Sequence, residues 1–290
     1  MSEPSPDQGG IHEIAAPAKT NLWLRILGKR EDGYHEIETR MVALGLADRL
    51  RLQWRDDGQV VLRCSDPSLP TGGDNLVVKA VRALERHTGR SFGVGIDLEK
   101  HIPHGAGLGG GSSDAAAVLR ALNEMASLHL SAPELAAVGA MIGSDIPFFL
   151  YDRPCDCRGR GEIVEPVPAG EAPPSLRVFL HKPAFGIAAS WAYRRYAESR
   201  ECVGFSYSGQ PGPWGELIND LERPVFEKFP VLGEMKSWLL ARPGVCAALL
   251  SGSGSTMLAV LEEGADADEL TRETLARYGE NGWIWTGRTA

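Results

Sequence analysis

The chain is predicted to fold as an α+β protein of two domains, and three observations carry that prediction. Its 290 residues exceed what one core ordinarily organises, since domains usually run to about 100–150 residues. Strand-like and helix-like segments are mixed along the sequence without the regular βα alternation of a doubly wound sheet. Hydrophobic residues make up 43% and charged residues 23%, the balance of a globular chain that can bury a core.

The elements are read in order. Residues 1–12 are polar, lack the basic-then-apolar pattern of a signal peptide, and read as a disordered tail. A first domain is expected over 13–153 and a second over 154–290. Residues 14–27 form a strand in which Leu22, Leu24 and Ile26 alternate with Asn21, Trp23 and Arg25. Asp32-Gly33 is a turn, and Tyr34 to Leu44 is a second extended segment. Arg49–Trp54 and Gln59–Arg63 read as a hairpin about Asp57-Gly58. Asp74-Asn75 caps a helix whose apolar face is Val77, Ala80, Val81 and Leu84, and Gly89 ends it. Val94–Leu98 is a strand, Ser112 to Asn123 a helix, and Ser131-x-x-Glu134 a capping box for the next helix. In the second domain the strands are Ile163–Pro166, Leu176–His181, Cys246–Leu250, Thr256–Val260 and Trp283–Trp285. The helices are Ala188–Ser199, Gly215–Leu221, Val231–Ala241 and Ala267–Tyr278.

Composition narrows the functional classes. The formal net charge is −8 and no basic stripe is visible, so a nucleic-acid partner is not expected. No stretch reaches the roughly 20 apolar residues of a membrane helix, so no membrane partner is expected either. The five cysteines are odd in number and scattered, and Cys155-x-Cys157 is too close for a zinc pair. A reduced, cytoplasmic setting accounts for them. His101-x-x-His104 lacks a third ligand and reads as a strand end, so the metal ligands stay unassigned.

The most informative stretch runs from Pro103 to Ala116 (PHGAGLGGGSSDAA). It comprises Pro103, His104, Gly105, Ala106, Gly107, Leu108, Gly109, Gly110, Gly111, Ser112 and Ser113, followed by an alanine-rich helix. Glycines let backbone N–H groups approach a ligand closely. A helix that opens there offers free N–H groups and the positive end of its dipole to a phosphate. The serine hydroxyls can add hydrogen bonds or reach a bound Mg²⁺. The frame Gly105-x-Gly107-x-x-Gly110 also permits a dinucleotide, but that reading wants an acidic residue at the end of a second strand about 20 positions on, and the region there, Leu128–Glu134, reads as a loop and a helix cap. No Gly-Lys-Ser/Thr follows, and neither His-Arg-Asp nor Asp-Phe-Gly occurs.

The same stretch resembles the phosphate loop of the GHMP kinases, and three further segments resemble parts of that family. Ala16-Pro17-Ala18-Lys19-Thr20-Asn21-Leu22 is similar to the opening of the branch that phosphorylates 4-diphosphocytidyl-2-C-methyl-D-erythritol. Asp32-Gly33-Tyr34-His35 is similar to that branch's cytidine pocket, and Gly143-Ser144-Asp145-Ile146-Pro147 to the segment holding its catalytic aspartate. Taken singly, each has a plainer reading: a solvated lysine at a strand start, a hairpin exit, a turn-forming aspartate before proline. Leu250–Ser255 resembles the family's third motif, which packs beside the phosphate loop, and it also reads as a plain hairpin turn. The loop here carries Asp114 where other members have asparagine. A carboxylate at a helix start is tolerated by the dipole, so little consequence is expected.

The resemblance implies a two-domain kinase with nucleotide and substrate in the interdomain cleft and with ATP and Mg²⁺ as cofactors. It implies Lys19 and Asp145 as catalytic residues, with the lysine holding the aspartate ionised. Asn75, Lys100 and Pro103–Ser113 would bind the nucleotide, and Asn21, Tyr34, His35 and Tyr193 the substrate. The expected partner is a small molecule, cytidine-diphosphate-linked methylerythritol, acted on by a monomer or weak homodimer. Two alternatives remain open at this point: another GHMP kinase of the homoserine or mevalonate type, and a non-catalytic ligand sensor on the same scaffold.

Overall fold

The computed structural model describes residues 10–290. Residues 1–9 of the expected tail lie outside the described residues, and the first strand begins at His12. The chain gathers into two compact units that are interleaved along the sequence. The first holds the described residues up to Ala18, Leu46–Ile102 and Gly109–Asp152; the second holds Lys19–Gly45, Pro103–Leu108 and Arg153–Ala290. Two long strands, β1 (His12–Lys29) and β2 (His35–Trp54), contribute residues to both.

In the first unit, β3 (Val60–Cys64) and β4 (Val94–Glu99) join the end of β2. The expected hairpin of Arg49–Trp54 with Gln59–Arg63 does not form. Instead β4 lies between the two, antiparallel to β2 in the register Arg49↔Glu99 and parallel to β3 in the register Val60↔Val94. The Asp57-Gly58 turn is present, with Asp57 accepting a hydrogen bond from the Gln59 amide at 3.0 Å. The backbone on either side of that turn is taken by β4: Arg55 N donates to Gly93 O at 2.8 Å, and Val94 N donates to Gln59 O at 2.9 Å. A distant strand therefore claims the edge that a local hairpin would have used.

Helices α1 (Leu76–Thr88), α2 (Gly110–Met125) and α3 (Ala132–Ala140) pack against one another in this unit. Asn75 caps α1 by accepting from the Val77 amide, and Gly89 closes it in the left-handed conformation. The Ser131/Glu134 capping box opens α3 as predicted. α2 starts two residues before the expected Ser112. A 3₁₀ turn, Pro147–Leu150, follows α3 and buries Phe148 and Phe149.

In the second unit, β5 (Cys155–Gly159) pairs antiparallel with Ile37–Met41 of β2 and with β6 (Ile163–Pro166). There follow β7 (Arg177–Lys182), α4 (Ala189–Tyr196), β8 (Gln210–Gly212), β9 (Gly215–Asn219), α5 (Glu222–Lys228) and α6 (Pro230–Leu240). β10 (Val245–Leu250), β11 (Met257–Leu261), α7 (Ala267–Tyr278) and β12 (Trp283–Arg288) complete the chain. Strands β10-β11-β7-β12 make an antiparallel sheet. Its core includes Phe179, Leu250 and Met257 with Phe226, Leu232 and Leu239 from the helices, each such side chain contributing roughly 1.5–3 kcal/mol on burial.

Gly215–Leu221, expected to be helical, is a strand over most of its length. β9 runs parallel to β1, pairing Trp23 with Ile218 and Leu24 with Asn219. A helix this short is marginal by itself, and β1 supplies the backbone partners that a lone segment lacks.

Candidate active site

The front half of the glycine loop, Pro103–Leu108, is seated within the second unit. Leu108 O accepts from Lys19 N at 2.9 Å, Ala106 O from Thr256 N at 3.3 Å and Gly105 O from Ile187 N at 3.4 Å. Gly107 has φ +77°, and a Cβ there would lie 2.1 Å from Ser251 O; only glycine fits. Ser251 Oγ donates to Gly107 O at 3.3 Å. Residues 251–256 therefore serve two purposes. They turn β10 into β11, and they brace the loop.

Lys19 lies on β1 beside that brace, 5% exposed. Its ammonium donates to Asn21 Oδ1 at 2.9 Å, and Asn21 Nδ2 donates to Thr39 Oγ1 at 2.7 Å. Thr39 Oγ1 in turn donates to Trp23 O at 2.6 Å. This buried chain fixes the amide orientation of Asn21 so that its oxygen faces the lysine. Thr20 Oγ1 shares a hydrogen bond with Ser251 Oγ at 3.2 Å. Asn219, at the end of β9, donates to Leu250 O and Gly252 O at 2.8 and 2.7 Å. Thr39 and Asn219 were not singled out in the sequence as site residues, whereas Ser251 lies in the Leu250–Ser255 segment that was. The signal that could have found them is a polar side chain at an apolar strand position, which must find partners when buried.

Tyr34, His35 and Tyr193 belong to the same unit, and two of them meet. The His35 and Tyr193 rings stack with centroids 5.7 Å apart. Tyr34 is 53% exposed, and the Arg160 guanidinium lies 4.8 Å from its ring centre. Burial, and secondarily Lys29, holds the His35 pKa below its ordinary value. The neutral imidazole keeps one donor and one acceptor nitrogen, which suits it to reading a polar base edge.

The rear half of the loop belongs to the first unit. Gly109, at φ +72°, precedes α2, and no side chain caps that helix. Its leading N–H groups are thus available to an anion. Ser112 is half-buried. Ser113 Oγ is buried without a hydrogen-bond partner, a hydroxyl held ready for an oxygen or metal ligand. Among the described residues no cluster of His, Cys, Asp or Glu is arranged to hold a metal ion.

Lys100 is inward-facing, its ammonium bound to Asp48 and to Asp114 Oδ2 at 2.7 Å. The position flagged as an unremarkable departure from asparagine is therefore one of three members of a buried ion cluster. Burial pushes the Asp114 carboxyl up to about 7 against the pull of Lys100, with Asp48 adding to the rise. Asn75 spends its side chain on the α1 cap and on Pro70 O at 2.7 Å. Asp145 is half-buried in a turn closed by Ile146 N donating to Gly143 O at 3.3 Å.

Residues 75–153 match the model of the GHMP kinases N terminal domain, and residues 203–280 match the model of the GHMP kinases C terminal. The 4-diphosphocytidyl-2-C-methyl-D-erythritol kinase of Syntrophotalea carbinolica is 39% identical over 273 residues, covering 93% of this chain and 96% of that protein. This chain belongs to the GHMP kinases. A crystal structure of 4-(cytidine 5'-diphospho)-2C-methyl-D-erythritol kinase superposes with a TM-score of 0.76 at 34% identity, covering 96% of this chain and 99% of that one. The mevalonate kinase of Methanococcus jannaschii superposes at 0.70 with 15% identity over 98% and 99% of the two chains, a likeness of fold alone. Among the described residues no helix is long and apolar enough to cross a membrane, and no disulfide joins the cysteines.

Proposed function

We propose that this chain transfers the γ-phosphoryl group of ATP to the 2-hydroxyl of 4-diphosphocytidyl-2-C-methyl-D-erythritol, a step toward isoprenoid precursors by the non-mevalonate route. The observation that carries the reading is near full-length similarity to kinases of that name. The stacked His35–Tyr193 pair supports it, because a cytosine ring needs a flat aromatic surface and a neutral hydrogen-bonding edge.

The roles follow from the chemistry of each group. Backbone N–H groups of Pro103–Ser113 and the start of α2 cradle the phosphates. Ser112 and Ser113 would hold Mg²⁺, which when bound neutralises charge on the phosphate oxygens. Lys19, aimed by Asn21 and Thr39, stabilises charge that develops during transfer. Asp145 orients the acceptor hydroxyl and takes its proton. Asn75 and Lys100 border the nucleotide and shape its surroundings. Tyr34, His35 and Tyr193 take the cytidine, and Asn21 joins them on the substrate side. We place this activity in the cytoplasm, in a monomer or weak homodimer.

The test is ADP release by the purified chain with ATP and Mg²⁺, offered the cytidylyl acceptor, homoserine and mevalonate in turn. Turnover with the cytidylyl acceptor alone is expected. Preference for either of the others would overturn the assignment, and no turnover with any acceptor would favour a sensor.

A further inference from the structure

Asp48 stands outside every motif in the sequence, yet it is fully buried. Its Oδ1 accepts from the backbone amides of His101 at 2.5 Å and Ile102 at 2.8 Å. Its Oδ2 accepts from the Lys100 ammonium, and the same ammonium donates to Asp114 Oδ2. Asp114 lies near the start of α2 and is itself buried. Lys100 Nζ sits 3.3 Å from the point a Cβ on Gly110 would occupy, directly beside the first residue of that helix. The cluster thus ties together β2, the two residues where β4 gives way to the glycine loop, and the opening of α2.

Two carboxylates around one ammonium in a dry site are costly for stability, and apolar residues of similar size would often serve as well. What the cluster supplies is directional hold. Three charge-assisted hydrogen bonds and one between side chains at the helix start fix an orientation that apolar packing leaves looser. A phosphate-binding helix needs its N–H groups held to within about 0.5 Å of the productive geometry.

We propose that Asp48 is a positioning residue for the nucleotide, holding the start of α2 in its phosphate-binding orientation through the His101 and Ile102 amides and the Lys100–Asp114 link. This rests on the reading that the glycine loop binds ATP.

The test compares binding of a non-hydrolysable ATP analogue with Mg²⁺, and separately of the cytidylyl acceptor, to the wild-type chain and to Asp48→Asn, by calorimetry. The variant keeps the size of the side chain and loses its charge toward Lys100. We expect analogue affinity to fall about tenfold, the scale of one lost charge-assisted hydrogen bond, with acceptor affinity unchanged. Unchanged analogue affinity, or an equal loss for both ligands, overturns the proposal, since a merely structural role would not single out ATP. If Asp48→Asn does not fold, Asp114→Asn decides: it weakens only the Lys100 link, and an unaltered analogue affinity there overturns the proposal. Failure of the wild-type chain to bind the analogue refutes the ATP reading itself.

Discussion

His35 stacks on Tyr193, with ring centroids 5.7 Å apart and planes inclined by 30°. One residue closes the first turn of the chain and the other lies on α4. Their meeting sets Tyr193 against His35, the residue proposed to take the cytidine, and so supports the same proposed role for Tyr193. Tyr193→Ala is expected to raise KM for the acceptor at least fivefold, since stacking a base on an aromatic ring is worth about 1–3 kcal/mol. KM for ATP should stay the same, and Tyr193→Phe should recover most of the loss. Steady-state kinetics with each substrate varied in turn would show it.

The same pair predicts a pH dependence. His35 has its pKa lowered by burial and by Lys29, so its neutral form already dominates at neutral pH. Acceptor KM should be flat above neutrality. It should rise only on acidification below the ordinary histidine value of about 6.5, where protonation begins to add charge beside the base. A rise in acceptor KM setting in between neutral and alkaline pH would count against a neutral His35.

Lys19 and Asp145 are expected to carry the chemical step. Lys19→Ala and Asp145→Asn should each lower kcat by roughly 10²-fold or more, the scale of a positioned acid–base group. Thr39→Val is the subtler probe. It removes the acceptor that orients Asn21 and the donor to Trp23 O, so kcat should fall about tenfold, one misplaced hydrogen bond's worth, and the melting temperature should fall as well, because two buried polar groups lose a partner. A Thr39→Val enzyme with wild-type kcat would mean that Lys19 needs no such support.

The sequence made the local parts of this site legible and left the long-range ones hidden, for a physical reason. β1 shows its alternation, Asn75 its cap and Ser131-x-x-Glu134 its capping box, because each is decided within a few residues. The placement of β4 between β2 and β3, and of β9 beside β1, depends on backbone partners far along the chain. Local turn chemistry at Asp57-Gly58 was present and correctly read, and it still did not determine which strand pairs with which. Asp48 and Asn219 were passed over for the same reason: their value lies in carbonyl and amide groups that the fold brings to them.

Gly107 tests the brace between the loop and residues 251–256. Gly107→Ala puts a methyl group 2.1 Å from Ser251 O at a φ of +77°. The backbone conformation alone costs a non-glycine residue about 1–2 kcal/mol, and the clash adds to it. The expected result is a lower melting temperature together with a raised KM for ATP. Gly107→Ala with normal ATP affinity would show that the brace is not needed to shape the loop.

Asp114 is expected to keep its proton in the folded state at mildly acidic pH, where the unfolded chain has lost it. Its carboxyl is raised to about 7 from its ordinary value of 3.8, burial being the main cause, with Lys100 pulling down and Asp48 pushing up. Lys100, Asp48 and the nearby Cys64 thiol, itself raised by burial, are the titratable groups that act on or sense it. Between those two values the folded state binds more protons than the unfolded one, so stability must fall as pH rises through the window and level off above it. The opposite trend holds for an exposed, salt-bridged carboxylate, whose contribution is lost on acidification. Urea denaturation at about pH 5.5 and about pH 8 should therefore show a decline in stability toward alkaline pH in the wild-type chain that is shallower in Asp114→Asn, because asparagine has no proton to release over that range. Equal slopes in the two proteins would mean that Asp114 is ionised throughout and that Lys100 outweighs the burial of two carboxylates.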